Sequence, residues 1–315
     1  MSGMRGIAML TGQPESPEAR KGELINVKTI GLFVLRVVIL TFFLFALHSI
    51  DFIGLSLAEE AQTALAMILL VSLLQTVVLS YPIIRSRWTG WPLVVTMIFV
   101  FYGVMTFLSQ IETVVFLQYL EDVVPVEETP MLFLDGAITA ALFSPLAVLI
   151  LGKMRGAEES QEPNRRLVMP WVEWAWKLIL IAVVYVFIYI SFGMFVAVPL
   201  AGDAFQEYYA DLQLPAWILP FQMVRAMIWT AIALPVIRMM KGRWWEAGLA
   251  VALLFSVLMG SLLLIPTEFM PEAIRLAHFV EVTSSNFLFG WIVAWLLNRH
   301  HGCLRELFRW SEGNG

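Results

Sequence analysis

Stretches of roughly 20 apolar residues, separated by short charged or Pro/Gly-bearing breaks, recur eight times along the chain, near 29–50, 62–84, 91–118, 131–152, 171–200, 214–237, 244–265 and 272–298. A hydrocarbon layer about 30 Å thick is crossed by roughly 20 residues of α-helix rising 1.5 Å each. Each stretch is therefore predicted to be a transmembrane helix. Backbone N–H and C=O groups find no water inside lipid, so a spanning segment must pair them internally. The alternation of a barrel strand is absent, which leaves helices. The expected fold class is all-α: a polytopic membrane helical bundle of about eight transmembrane helices.

The two halves of the pattern align, and the alignment organises the bundle as two parallel four-helix repeats. Tyr-Pro-Ile-Ile-Arg at Tyr81 to Arg85 matches Leu-Pro-Val-Ile-Arg at Leu234 to Arg238. Trp88, Leu93, Val95, Phe99, Leu108 and Glu112 match Trp244, Leu249, Val251, Phe255, Leu264 and Glu268 at one constant offset. In the fourth span, Phe133, Leu142, Phe143 and Leu151 match Phe279, Leu288, Phe289 and Leu297, with Asp135 falling on Glu281; Arg36 falls on Lys177. A unit of four spans crosses the bilayer an even number of times, so its copies share one orientation. The division expected is a disordered tail over 1–28, a first repeat over 29–152, a linker over 153–170, a second repeat over 171–299 and a tail over 300–315.

Composition agrees with the membrane reading. The chain is 59% hydrophobic and 14% charged, with a mean hydropathy of +0.78, where soluble domains average about 25% charged. The charges separate by side. Arg5, Arg20, Lys21 and Lys28 lie in the amino tail; Arg85 and Arg87, then Lys153, Arg155, Arg165 and Arg166, then Arg238, Lys241 and Arg243 lie in alternate loops; Arg299, Arg305 and Arg309 close the chain. The intervening loops carry Asp51, Glu59, Glu60, Glu121, Asp122, Glu127, Glu128, Asp203, Glu207, Asp211 and Glu272. By the positive-inside rule both termini are cytoplasmic and the protein is a multi-pass protein of the cell membrane. The first 24 residues lack the apolar core of a signal peptide. A single cysteine, Cys303, rules out an internal disulfide and a multi-cysteine metal cluster.

Ionisable groups inside spans are costly, and they default to functional candidates that face the bundle interior. Glu112, Asp135, Glu268 and Glu281 fall at comparable depth toward the outer side. Thr139 and Ser285 follow Asp135 and Glu281 by four residues, hence on the same helix face. Arg225 lies about 10 Å below the outer end of the sixth span by helical rise, with Gln222 three residues before it. Arg275, His278, Glu281 and Ser285 form one polar stripe on the eighth. Satisfied ion pairs, such as Arg225 with Glu281 or Asp135, would fix helix register without chemistry. Four acids against Arg225 and Arg275 leave a surplus of negative charge, which favours uptake of protons or of a cation. His278 with Glu281 and Glu268 offers a weaker set of metal ligands.

Other constellations fail. Glu59 and Glu60 resemble the paired glutamates of CAAX-type intramembrane proteases, but that pattern needs an arginine where Ala64 stands. No phosphate-binding Gly-x-x-x-x-Gly-Lys run, Gly-x-Ser-x-Gly elbow or paired-Cys zinc pattern is present, and His300 and His301 read as solvated tail residues. Gly136, Ala140 and Ser144, and Gly248, Ala252, Ser256 and Gly260, line helix faces that permit close approach. The best functional expectation is a secondary transporter or cation- or proton-coupled permease with its acidic site in the outer half. The alternatives are a structural, lipid-binding or assembly protein with ion-paired acids, and a carboxylate–histidine metal enzyme. The bilayer is the expected partner, together with a small ion or small-molecule substrate. No cofactor and no nucleic acid is expected.

Overall fold

The computed structural model describes residues 17–50, 59–116, 129–156, 167–210, 215–267 and 270–299, with 301, 304 and 306 beyond them. Among these residues are eight helices long and apolar enough to cross a membrane. They are α1 (Pro17–His48), α2 (Glu59–Arg85), α3 (Gly90–Tyr102, continuing through a π-helical turn Gly103–Phe107 into Leu108–Phe116), α4 (Thr129–Ile150), α5 (Trp171–Phe192, a second π-helical turn Gly193–Ala197, then Val198–Ala201), α6 (Ile218–Met239), α7 (Trp244–Gly260, ending in the 3₁₀ turn Ser261–Leu264) and α8 (Glu272–Asn298). A short helix, Asp203–Tyr208, lies between α5 and α6. The protein is a multi-pass helical membrane protein.

Helix starts follow local chemistry. Pro170 and Pro271 precede α5 and α8, and Glu173 and Glu272 lie in the first turns, where a carboxylate complements the helix dipole. At α7 the turn residue Gly242 takes φ +76°, open to glycine. Glu246 then bonds back to the Arg243 N–H at 3.0 Å. One expectation needs correction. Residues 17–28, read as part of a disordered tail, are helical and extend α1; Pro17 suits a first helical position, and Glu18, Ala19, Arg20 and Lys21 are helix formers.

α1 packs on α2 and α4, and α3 packs on α4; α5 packs on α6 and α8, and α7 packs on α8. Between these groups α2 meets α7 and α3 meets α6. These relations recur when every helix is exchanged for the one four positions later, whereas the packing of α6 on α8 has no equally close counterpart between α2 and α4. The core at the centre includes Trp229, Phe101, Phe143, Phe255 and Phe289, with Trp229 and Phe255 rings 4.3 Å apart and Tyr185 and Phe289 rings 4.7 Å apart. Outward faces are apolar too: Phe187 and Phe195 stand exposed, as lipid-facing side chains do.

Small residues let the helices approach closely. A Cβ on Gly290 of α8 would lie 2.9 Å from the Ala252 Cα of α7, and Ser256 Oγ donates to the Thr283 carbonyl at 2.7 Å. Gly136 of α4 leaves no room for a side chain against Thr106 in the π turn of α3.

The loops following α2, α4 and α6 and the end of α8 gather at one end of the bundle, the basic end. There Arg87 N–H donates to the Met239 carbonyl and Gly90 N–H to the Lys153 carbonyl. Lys177 of α5 is wholly buried, 2.6 Å from Glu173, and donates to the Arg299 carbonyl at 2.5 Å. His301, expected in solvent, is buried instead. Its N–H donates to Glu173 at 2.8 Å, and its ring lies against Trp176 and Trp295. An unpaired Lys177 in the bundle would be costly; Glu173 supplies its counter-charge, and the Arg299 carbonyl and His301 N–H complete the hydrogen bonds of the pair.

Candidate functional site

The opposite, acidic end holds two polar centres. The first joins α3 to α6. Arg225 is 2% exposed, and its Nη2 lies 2.8 Å from Glu112 Oε2. Nη2 also donates to the Leu108 carbonyl at 3.1 Å, and Nη1 donates to Gln222 Oε1 at 3.0 Å. Gln222 Nε2 donates in turn to Glu112 Oε1 at 3.4 Å. Arg225 Nε is buried without a partner. The Glu112 side chain keeps 30% of its surface exposed, so this pair opens on the carboxylate side.

The local fold of α3 places Glu112. A π turn holds one residue more than an α turn needs, so the segment after it is rotated by about 100° relative to an uninterrupted α-helix. That rotation, introduced by Gly103–Phe107, turns Glu112 and the Leu108 carbonyl toward α6.

The second centre stands on α8. His278 Nδ1 lies 3.3 Å from Glu281 Oε2, and His278 Nε2 lies 2.9 Å from the Tyr209 hydroxyl. The segment after α5 carries Tyr209 over the start of α8, where Phe205, Tyr208 and Met270 pack on Ile274 and Ala277. Burial raises the Tyr209 pKa, and Tyr208, Glu112 and Glu281 add to the effect, so this phenol stays protonated. A carboxylate opposite Nδ1 favours the tautomer with the proton there, which leaves Nε2 to accept from Tyr209. A proton added to Nε2 reverses that bond and breaks neither contact. The hydrogen bonds of the chain Tyr209–His278–Glu281 are therefore compatible with a neutral or a protonated imidazole.

The two centres share one neighbourhood. Tyr209 feels both Glu112 and Glu281. Tyr185 of α5, whose hydroxyl accepts from Trp229 Nε1 at 3.2 Å, lies within the fields of Arg225, Glu112 and Glu281.

The expected site residues divide accordingly. Arg225, Glu112, Glu281 and His278 lie in these centres, but Arg225 meets Glu112 and not Glu281 or Asp135: α6 packs on both α3 and α8, so the direction in which the side chains point, and not helix adjacency alone, selects Glu112. Asp135 is half-buried on α4 and makes no ion pair or hydrogen bond among the described residues. Thr139 is buried on the same helix. Ser285 is buried, but its hydroxyl donates to the Val282 carbonyl at 3.3 Å, not to Glu281. Arg275 donates to the Leu263 carbonyl at 2.7 Å. Glu268 lies outside the described residues, as do Asp51 and Cys303. Among the described residues no three His, Cys, Asp or Glu side chains group around a metal position; His278 and Glu281 supply two of the three weaker metal candidates. Tyr209 escaped the sequence reading because it sits in an acidic loop, and its only signal there was the Tyr208–Tyr209 aromatic pair.

No family model, no curated protein and no solved structure matches the chain.

Proposed function

We propose that the protein is a secondary transporter, a cation- or proton-coupled permease, whose site is formed by Glu112, Arg225, His278, Glu281 and Tyr209 at the outer end of a bundle with both termini in the cytoplasm of the cell. The single observation that carries this reading is the unequal pairing of the two acids of these centres. Glu112 answers the permanent cation Arg225, whereas Glu281 answers His278, an imidazole that can stand as a neutral or a cationic partner. The charge of the site then depends on one proton, which is what coupling requires. The helix adjacencies and the aligned Pro82 and Pro235, both inside helices near the basic end, support the two-repeat organisation over 29–152 and 171–299. In that arrangement the site lies where the second repeat meets α3 of the first.

The test is proton movement into proteoliposomes, read by an entrapped pH dye while a panel of amino acids, sugars, organic anions and monovalent cations is added outside. Wild-type protein is expected to acidify the lumen with at least one of them, and Glu281→Gln to abolish the response. Unchanged coupling in Glu281→Gln removes Glu281 from the mechanism.

The structural reading draws on a different observation, the contacts of Arg225 with Gln222, the Leu108 carbonyl and Glu112, which together tie α3 to α6. It predicts no proton movement with any solute.

A further inference from the structure

A separate polar centre lies at the basic end and does not depend on the transport reading. Ser86 and Met240 pair as an isolated antiparallel bridge. Arg87 N–H donates to the Met239 carbonyl at 2.8 Å and Lys241 N–H to the Arg85 carbonyl at 2.9 Å. Side chains alternate across such a ribbon. Ser86 and Met240 are fully buried, while Arg87 and Lys241, one residue beyond each, are partly exposed beside Arg85. Lys153, from the turn after α4, reaches the same place, its ammonium donating to the Ser86 carbonyl at 3.2 Å. Arg85 is matched by Glu246. Arg87 Nε is buried without a hydrogen-bond partner. α3 begins beside them with no side-chain cap on its first turn.

A loop that only orients the chain needs none of this, because its lysines and arginines can spread into water. Here backbone pairing between the loops after α2 and α6 draws like charges together. The Lys241 pKa is lowered by burial first and then by Lys153, Arg85 and Arg87. Such crowding is relieved by an anion.

We infer that this ribbon face is a binding site for a phosphate-bearing group, with Arg87, Lys241 and Lys153 as its donors. A phosphate presents enough oxygens for one guanidinium fork and two ammonium groups. Trp91 and Trp245 stand exposed at the starts of α3 and α7, and tryptophans of this kind mark headgroup depth. A phospholipid headgroup and a soluble phosphate both reach that depth.

The test is thermal unfolding of the full-length protein in detergent with short-chain phosphatidic acid, with inorganic phosphate and with zwitterionic short-chain phosphatidylcholine. Ligands that bind the folded state raise Tm by mass action. Phosphatidic acid is expected to raise Tm by several degrees, phosphatidylcholine to do nothing, and Arg87→Gln and Lys241→Gln to lose the shift. A matching rise with inorganic phosphate identifies a site for soluble phosphate; a rise with phosphatidic acid alone identifies a headgroup site. No rise with either probe, or the same rise in both variants, overturns the proposal. Should the variants fail to fold, the salt dependence of the wild-type shift decides. Added sodium chloride must weaken it, and a shift insensitive to salt overturns the proposal as well.

Discussion

At the basic end of the bundle, the fully buried Lys177 is sealed against Glu173 and the Arg299 carbonyl, a permanent charge and a backbone dipole, and the partly exposed Arg85 meets Glu246. At the acidic end Arg225 and Glu112 obey the same rule, but Glu281 answers an imidazole. The contrast separates two uses of costly groups. A pair of permanent charges has one stable arrangement and locks helices together. A carboxylate paired with histidine has two protonation states of similar geometry, so it can take part in a cycle.

The comparison can be broken first where the charges are deepest. Lys177→Met strands Glu173 without its cation, and removal of one partner from a buried pair costs about 3–5 kcal/mol. Denaturation in detergent should show that loss, and a stability within error of wild type would mean the basic end is not locked as described. Replacing both partners with apolar residues should recover much of it.

At the acidic end the expected effect depends on which partner goes. Glu112→Gln leaves the nearly inaccessible Arg225 with neutral acceptors only, at a cost of about 3 kcal/mol. Arg225→Met leaves a Glu112 carboxylate that is 30% exposed and costs less, about 1–2 kcal/mol. Equal losses in the two variants would contradict the one-sided opening of this pair.

The relay should yield smaller stability changes. Tyr209→Phe removes one hydrogen bond and should cost about 1 kcal/mol, while His278→Asn and Glu281→Gln should stay within about 1 kcal/mol of wild type. If the two pairs differ in use as proposed, these variants alter proton movement far more than they alter unfolding. A stability loss as large as that of Lys177→Met would place Glu281 with the locking pairs.

The smallest effect concerns His301. Burial lowers its pKa, the Lys177 charge lowers it further, and Glu173 opposes the change. A folded pKa below the unfolded one means the docked chain end contributes stability above about pH 6.5 and loses it as pH falls. Limited proteolysis should therefore cut beyond Asn298 faster as the pH drops from about 7 toward about 5, and His301→Gln should flatten that profile.

Much of the architecture was legible in the pattern of apolar runs. The eight spans lie within a few residues of their expected positions, because the thickness of the hydrocarbon layer imposes one length on all of them. That Arg225, Glu112, Glu281 and His278 stand toward the end of the bundle away from the basic loops was legible too, since position along a helix follows from counting residues. Partnership was not. Arg225 was assigned to Glu281 or Asp135, but its guanidinium points to Glu112 on α3, although α8, which carries Glu281, packs on α6 as well. His301 looked like a solvated tail residue because nothing nearby in the chain reveals Lys177, which approaches it only in three dimensions.

The sequence by itself determined the class of protein, the number of crossings and the segregation of basic from acidic loops, since each depends on composition along one axis normal to the membrane. Tertiary structure alone decided the azimuth of each helix and hence which charges meet. The π turn at Gly103–Phe107 rotates Glu112 onto Arg225, the segment after α5 brings Tyr209 to His278, and the bridge at Ser86 and Met240 gathers the basic loops. These features depend on rotations and on contacts between distant segments, and hydropathy carries no information about either.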